Sequence, residues 1–230
     1  TTIILTGTCV MIYKSFLEES ADVAMFKDEL SYSKAAGFVL GEHIAKTRPG
    51  ARALIIVDSK DNGSAIIKAG LEGLLKGLGD SVAASVDSPD FAPNNEQASA
   101  ENIKISPEKM IFLMKKSKAE SFDNLISKYS DCNVIISLIG LPENPEAMAL
   151  WQIEPENRPY IALLRSRVEK YRDAIMLGAI NAAVTNKPGE PPRNKAKNNL
   201  EAFENRYLLI TPENLPEIET KYPEMFEKTI

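Results

Sequence analysis

Residues 58–64, Asp-Ser-Lys-Asp-Asn-Gly-Ser, place two carboxylates, an amide and two hydroxyls in one short stretch. Carboxylates accept hydrogen bonds, and hydroxyls and amides both donate and accept them. Such a loop can satisfy a polyhydroxylated or zwitterionic small molecule. It is a poor phosphate loop, with neither Gly-x-Gly-x-x-Gly nor a Gly-Lys-Ser/Thr ending. Asp58 and Asp61 would also oppose an anion drawn to the helix N-terminus that follows. Asn62-Gly63 fits a plain solvated turn as well.

Covalent and metal chemistry find less support. Asp28 and Glu29 are adjacent, so their side chains diverge if the segment is extended. Asp28 and Asp58 together would suit Mg²⁺, but acids at strand ends are common in non-catalytic clefts, and no metal or cofactor is assigned. Cys9 has no base in its neighbourhood. The sole histidine, His43, falls in a separate expected helix. The Gly-x-Ser-x-Gly elbow is absent, so no catalytic residue is assigned. Two cysteines are too few for a disulfide scaffold.

Periodicity supplies the elements. Ala53–Val57 reads as a strand and Ser64–Leu78 as a helix capped by Ser64, with Ile67, Leu71, Leu74, Leu75 and Leu78 as its buried stripe. Gly70, Gly73 and Gly77 in that helix suggest a close approach to the sheet. Further strands are expected at Thr2–Leu5, Asp22–Phe26, Ser81–Val86, Val134–Ile139, Tyr160–Leu164 and Tyr207–Ile210. Helices are expected at Val10–Leu17, Ser33–Lys46, from Ser106, at Ser121–Tyr129, and from Val168 through Ala182 to near Asn186. Residues 87–104 read as a long exposed loop and 186–206 as a polar connector. The alternation predicts an α/β fold: a mostly parallel Rossmann-like sheet with helices on both faces. Residues 1–185 form the main domain, with 1–45 readable as part of a first lobe. Residues 186–230 supply a connector, a short strand and a tail packed on the body.

Composition narrows the partners. The chain has 230 residues and a formal charge of -5. No basic stripe alternates with aromatics, so no direct nucleic-acid contact is expected. No apolar run is long enough for a spanning helix, and no secretion signal is visible in this chain.

In parallel sheets, ligands collect beyond the carboxyl ends of the strands. That rule selects Thr6–Thr8, Asp28 with Glu29, Asp58–Ser64, Gly140–Asn144, and Arg165 with Ser166. The expected ligand contacts are Asp28, Asp58, Asn62, Ser64, Pro142, Asn144 and Arg165. Trp151, the sole tryptophan, either packs at the rim or stacks on a sugar face.

Four stretches carry a family likeness. The strand at 53–57 with DSKDNGSAIIKAGLEGLLKGLG behind it looks like an opening of a second lobe. SFDNLISKYSDCNVIISLIGLP, at 121–142, looks like a helix and strand leading to a cleft loop. IMLGAINAAVTNKP, within 160–188, and LLITPEN, at 208–214, complete the set. Together they resemble the type I periplasmic-binding-protein superfamily, particularly its sugar-binding members, over roughly residues 20–215. The resemblance implies non-covalent capture of a small polar solute between two lobes. It also implies a membrane transporter or sensor as partner and a periplasmic or extracellular location. Asp28, Asp58, Asn62 and Pro142 are the nearest correspondences to ligand-facing positions. The chain departs from the pattern in three ways. Too little chain precedes residue 51 for a complete first lobe. Lys68 and Ala69 stand where an arginine is characteristic. Residues 87–104 look inserted. Solute binding is therefore the preferred reading, ahead of an enzyme on a Rossmann-like sheet or an interaction domain with no small ligand.

Overall fold

A computed structural model describes residues 2–59, 63–90, 118–164, 167–189 and 196–226, with side chains from Val23 onward. Its elements run α1 (Thr2–Thr47), β1 (Arg52–Ile56), α2 (Ala65–Leu78), β2 (Ala83–Asp87), α3 (Ala119–Lys128), β3 (Val134–Ser137), β4 (Tyr160–Leu163), α4 (Arg172–Met176), β5 (Ala182–Asn186), α5 (Asn199–Arg206), β6 (Tyr207–Ile210) and α6 (Leu215–Lys221). The six strands form one sheet in the order β2-β1-β3-β4-β5-β6. Strands β1 to β5 are parallel, and β6 returns antiparallel to β5.

The inner strands are buried on both faces, so their sequences are unbroken apolar runs. Alternate residues then sort the core into two layers. Ala53, Ile55, Val134, Ile136 and Ala162 face α1, α2 and α5, meeting Leu40, Ile44, Leu74 and Phe203. Leu54, Ile56, Ile135, Ile161 and Leu163 face the other side, against Phe122 and Leu125 of α3 with Met148, Ile175 and Leu215. Helix α2 carries the chain from β1 out to edge strand β2. Helix α3 then brings it back on the opposite face to β3, on the far side of β1. The winding reverses between β1 and β3.

The N-terminal segment overturns an expectation. The strands at Thr2–Leu5 and Asp22–Phe26, the turn at Thr6–Thr8 and the short helix Val10–Leu17 are all parts of α1. No proline interrupts residues 2–47, so the i to i−4 hydrogen-bond ladder can run unbroken. The helix packs on α2 at Gly37 and Gly41, while its Ala36, Leu40 and Ile44 are fully buried. Gly73 and Gly77 of α2 serve this helix pair, whereas a Cβ on Gly70 would meet both the Leu164 side chain just beyond β4 and the Ser33 hydroxyl of α1 at 3.1 Å. A Cβ on Gly73 would lie 1.9 Å from the Lys34 carbonyl oxygen, and one on Gly77 2.2 Å from that of Phe38. Ser33 adds a buried hydrogen bond from its hydroxyl to the Ile66 carbonyl, 2.7 Å long.

Two further expectations change near the C-terminus. The helix expected through Ala182 stops at Met176, and Gly178 turns the chain at φ 69°. Residues Ala182–Asn186 then form β5. Its alanines suit a helix, but the segment is enclosed between β4 and β6, and pairing decides the outcome. Within the polar connector, Asn198 starts α5: its side chain accepts from the Glu201 N–H at 2.9 Å. The spacing Asn198-x-x-Glu201 is a capping signal that marks this helix in the sequence. The loop expected at 87–104 and the helix from Ser106 fall mostly or wholly outside the described residues.

Candidate functional site

The winding reverses between β1 and β3, and open α/β sheets place ligands beyond the carboxyl ends of the strands at such a point. Ile56 and Ser137 are partners at those ends. The segments that follow them, Val57–Ser59 and Leu138–Asn144, therefore begin side by side.

The first loop is folded by its own leading residue. Asp58 accepts through Oδ2 from the Ser64 N–H at 3.0 Å, which ties the loop back to the start of α2. Gly63 permits this closure: a Cβ there would sit 2.6 Å from Asp58 Oδ1 and 2.9 Å from the Ser59 carbonyl oxygen. Asp58 Oδ1 is buried and has no hydrogen-bond partner among the described residues. Ser64 occupies the N-cap position of α2, yet its side chain makes no capping hydrogen bond. A carboxylate oxygen in need of a donor thus lies next to a helix start without a side-chain cap.

The second loop is held by Ser137, which is 1 % exposed. Its hydroxyl donates to the Gly140 carbonyl at 2.5 Å, and Gly140 adopts φ 78°, a left-handed conformation that favours glycine. Pro142 beyond it is buried, whereas Glu143 and Asn144 are exposed. The Asn144 side chain accepts from the Ala119 N–H at 3.3 Å, at the first residue of α3. Glu143, Asn144 and Ala147 form one wall of a shallow open depression; Lys118, Glu120 and Asp123 form the other.

The structure thus groups Asp58 with Ser64, and Pro142 with Asn144, on neighbouring loops of the carboxyl edge. It does not bring every expected residue there. Asp28 lies in α1 and is exposed, because the strand meant to precede it is helical. Its neighbour Glu29 turns inward to pair with Arg206 at 2.5 Å. Trp151 is partly buried in the β3–β4 connection, where its indole N–H donates to the Pro145 carbonyl at 2.5 Å. The Arg158 guanidinium lies 5.5 Å from the centre of its ring. Asn62 and Arg165 lie outside the described residues.

One site-edge residue escaped the sequence reading. Asp87, the last residue of β2, is 5 % exposed. It accepts from Lys128 Nζ at 2.9 Å and from the Tyr129 hydroxyl at 2.7 Å. An acid closing the Ser-Val-Asp strand end, as Asp58 follows Ile-Val, was the available signal.

The remaining reactive groups are elsewhere. His43 Nε2 lies 3.0 Å from the Tyr160 hydroxyl, at the amino edge of the sheet. Burial pushes its pKa below the ordinary histidine value, against the pull of Glu213. Cys132 is a free thiol, and partial burial raises its pKa, with Asp131 acting in the same direction. Among the described residues, no group of three His, Cys, Asp or Glu side chains is arranged to hold a metal ion. No helix among them is long and apolar enough to cross a membrane.

No family model and no curated protein sequence matches the chain. Solved structures do match. One is GanP, a glucose-galactose binding protein from Geobacillus stearothermophilus, with a TM-score of 0.51 at 16% identity over 80% of this chain and 61% of that one. Another is a galactofuranose binding protein, with a TM-score of 0.50 at 13% identity over 87% of this chain and 64% of that one. This chain spans less than two thirds of the length of either protein. At such identities the likeness is one of fold, and over about 80% of its length the chain has the fold of the type I periplasmic sugar-binding proteins.

Proposed function

We propose that the carboxyl edge between β1 and β3 binds a small polar solute, of the sugar or polyol class, without covalent chemistry. The observation that carries this reading is Asp58. One of its oxygens is used to fold the loop, while the other is buried with no hydrogen-bond partner among the described residues. A buried carboxylate oxygen left without a donor costs free energy, which a ligand hydroxyl would recover. Two neighbours in fold are described as binding glucose and galactose, and galactofuranose, and the same solute class suits the donors and acceptors of these loops. His43 and Asp58 lie at opposite edges of the sheet, which weighs against an acid–base pair in one site. The proposed contacts are Asp58, Ser64 and Asn144, with Pro142 shaping the loop. A transporter or sensor component is the partner this reading calls for.

Thermal-shift measurements against galactose, glucose, arabinose and myo-inositol test the reading. At least one should raise the melting temperature in a concentration-dependent way. Asp58→Ala (D58A) should lose that response while remaining folded. A folded D58A variant with unchanged affinity removes Asp58, and no response to any polyol or sugar removes the solute-binding reading.

A further inference from the structure

The chain has a single histidine, the side chain whose ordinary pKa is nearest neutrality. It sits near the C-terminal end of α1, away from the candidate site. Its Nε2 meets the hydroxyl of Tyr160 at 3.0 Å. Tyr160 is the first residue of β4, an inner strand, and is 8% exposed. The contact therefore ties the α1–α2 helix layer to the middle of the sheet. We infer that the His43–Tyr160 contact is a proton-sensitive latch, engaged while His43 is neutral and weakened when it is charged.

Four groups decide how the latch responds. Lys46 lies one turn further along α1, and the Arg48 guanidinium covers the Tyr160 ring at 4.9 Å. Glu213, in the turn after β6, is the carboxylate that acts on both His43 and Tyr160. Tyr160 itself supplies the hydroxyl. A neutral imidazole nitrogen can accept from that hydroxyl or donate to it. A charged imidazole can only donate, so the tyrosine proton must turn to the Thr47 hydroxyl, its other hydrogen-bond partner. The added charge also sits half-buried, with Lys46 one turn away on the same helix. Glu213 offsets part of this cost, but burial remains the largest influence on His43 and favours the neutral form.

The helix layer responds as a pair because α1 and α2 touch backbone to backbone. A Cβ on Gly37 or Gly41 would lie 2.0 Å or 2.4 Å from a carbonyl oxygen of α2. Release at the amino edge therefore loosens both helices together. The far end of α2 begins beside Ser64, at the carboxyl edge.

Hydrogen–deuterium exchange of the intact chain at pH 7.5 and pH 5.5, corrected for intrinsic exchange rates, tests the latch. Peptides covering residues 33–47 and 65–78 should exchange several-fold faster at the lower pH, relative to a peptide covering β3. His43→Gln (H43Q) keeps a polar group without a titrating proton, and its exchange should not change between the two pH values. Tyr160→Phe (Y160F) keeps the ring under Arg48 but removes the hydroxyl. It should exchange at the faster rate at both pH values, which keeps the test decisive if H43Q does not fold. Unchanged exchange in the wild type, or a retained pH response in H43Q or Y160F, overturns the latch.

Discussion

Gly37 and Gly70 meet where α1 crosses α2, so closely that a Cβ on Gly37 would lie 2.0 Å from the Gly70 carbonyl oxygen. The obstructing atom is backbone, not the flexible end of a side chain. Gly73 has the same relation to the Lys34 carbonyl. Glycine costs each helix intrinsic stability, and the close contact between the two helices offsets that cost.

The sign of a Gly→Ala substitution should therefore invert here. In an exposed helix interior alanine is favoured by about 1 kcal/mol. Gly37→Ala or Gly73→Ala should instead destabilise the protein by roughly 2–3 kcal/mol or more, because two backbones must separate. Urea denaturation followed by circular dichroism measures this directly. A stabilised Gly37→Ala variant would show that the helices do not cross at these residues.

Asp87 offers a second prediction, at the carboxyl edge. It is buried and accepts from both Lys128 and Tyr129, so it ties the end of β2 to α3. Tyr129→Phe removes one donor and should cost about 1–2 kcal/mol. Asp87→Ala leaves the tyrosine hydroxyl without this acceptor and should cost more than Tyr129→Phe. If the two variants are equally stable to urea, the carboxylate does no more than hold the tyrosine.

These cases show which parts of the molecule could be read from the sequence. The strand at Ala53–Val57 and the helix from Ser64 to Leu78 appear within a residue or two of β1 and α2, because apolar runs and helical spacing are local signals. Asp58 and Ser64 were legible for the same reason, as polar residues between a strong strand and a strong helix. The contact between Gly37 and Gly70 was not, since nothing local to α2 says that its glycines face another helix. β5 was hidden because Ala182-Ala183-Val184 suits helix and strand alike until β4 and β6 enclose it. Asp28 was misplaced because a short apolar run before it, Val23–Phe26, has the composition of a strand but continues a helix.

Two groups should make stability fall with acid, His43 from below pH 6.5 and Glu213 from below pH 4.5. The folded protein binds the His43 proton less readily than the unfolded chain does, since burial lowers its pKa. The unfolded state therefore takes up more protons below the ordinary value of 6.5, and stability drops as pH falls through the folded value. Glu213 is held below the usual carboxylate value, first by the Thr211 side chain, so its contribution is present above 4.5 and lost further into acid. Urea midpoints at pH 7.5, 6.5 and 5.5 should decline in the wild type and change less in H43Q. Equal declines would assign the effect to other groups.

Trp151 supplies the last prediction, because its polar edge is already engaged. The indole N–H donates to the Pro145 carbonyl, and Arg158 lies over the ring while donating to the carbonyls of Trp151 and Ile153 at 3.1 and 2.9 Å. These contacts lie within the β3–β4 connection and knit residues 145–158 together. Arg158 occupies one face of the ring, so a solute stacking on that face would displace it. The tryptophan is unique in the chain, so its fluorescence reports one position. Adding a sugar that raises the melting temperature should leave the emission maximum and intensity nearly unchanged, whereas Arg158→Ala should shift the emission to the red as the ring gains solvent. Strong quenching by the sugar would place the indole in the binding site and make Trp151 a direct ligand contact.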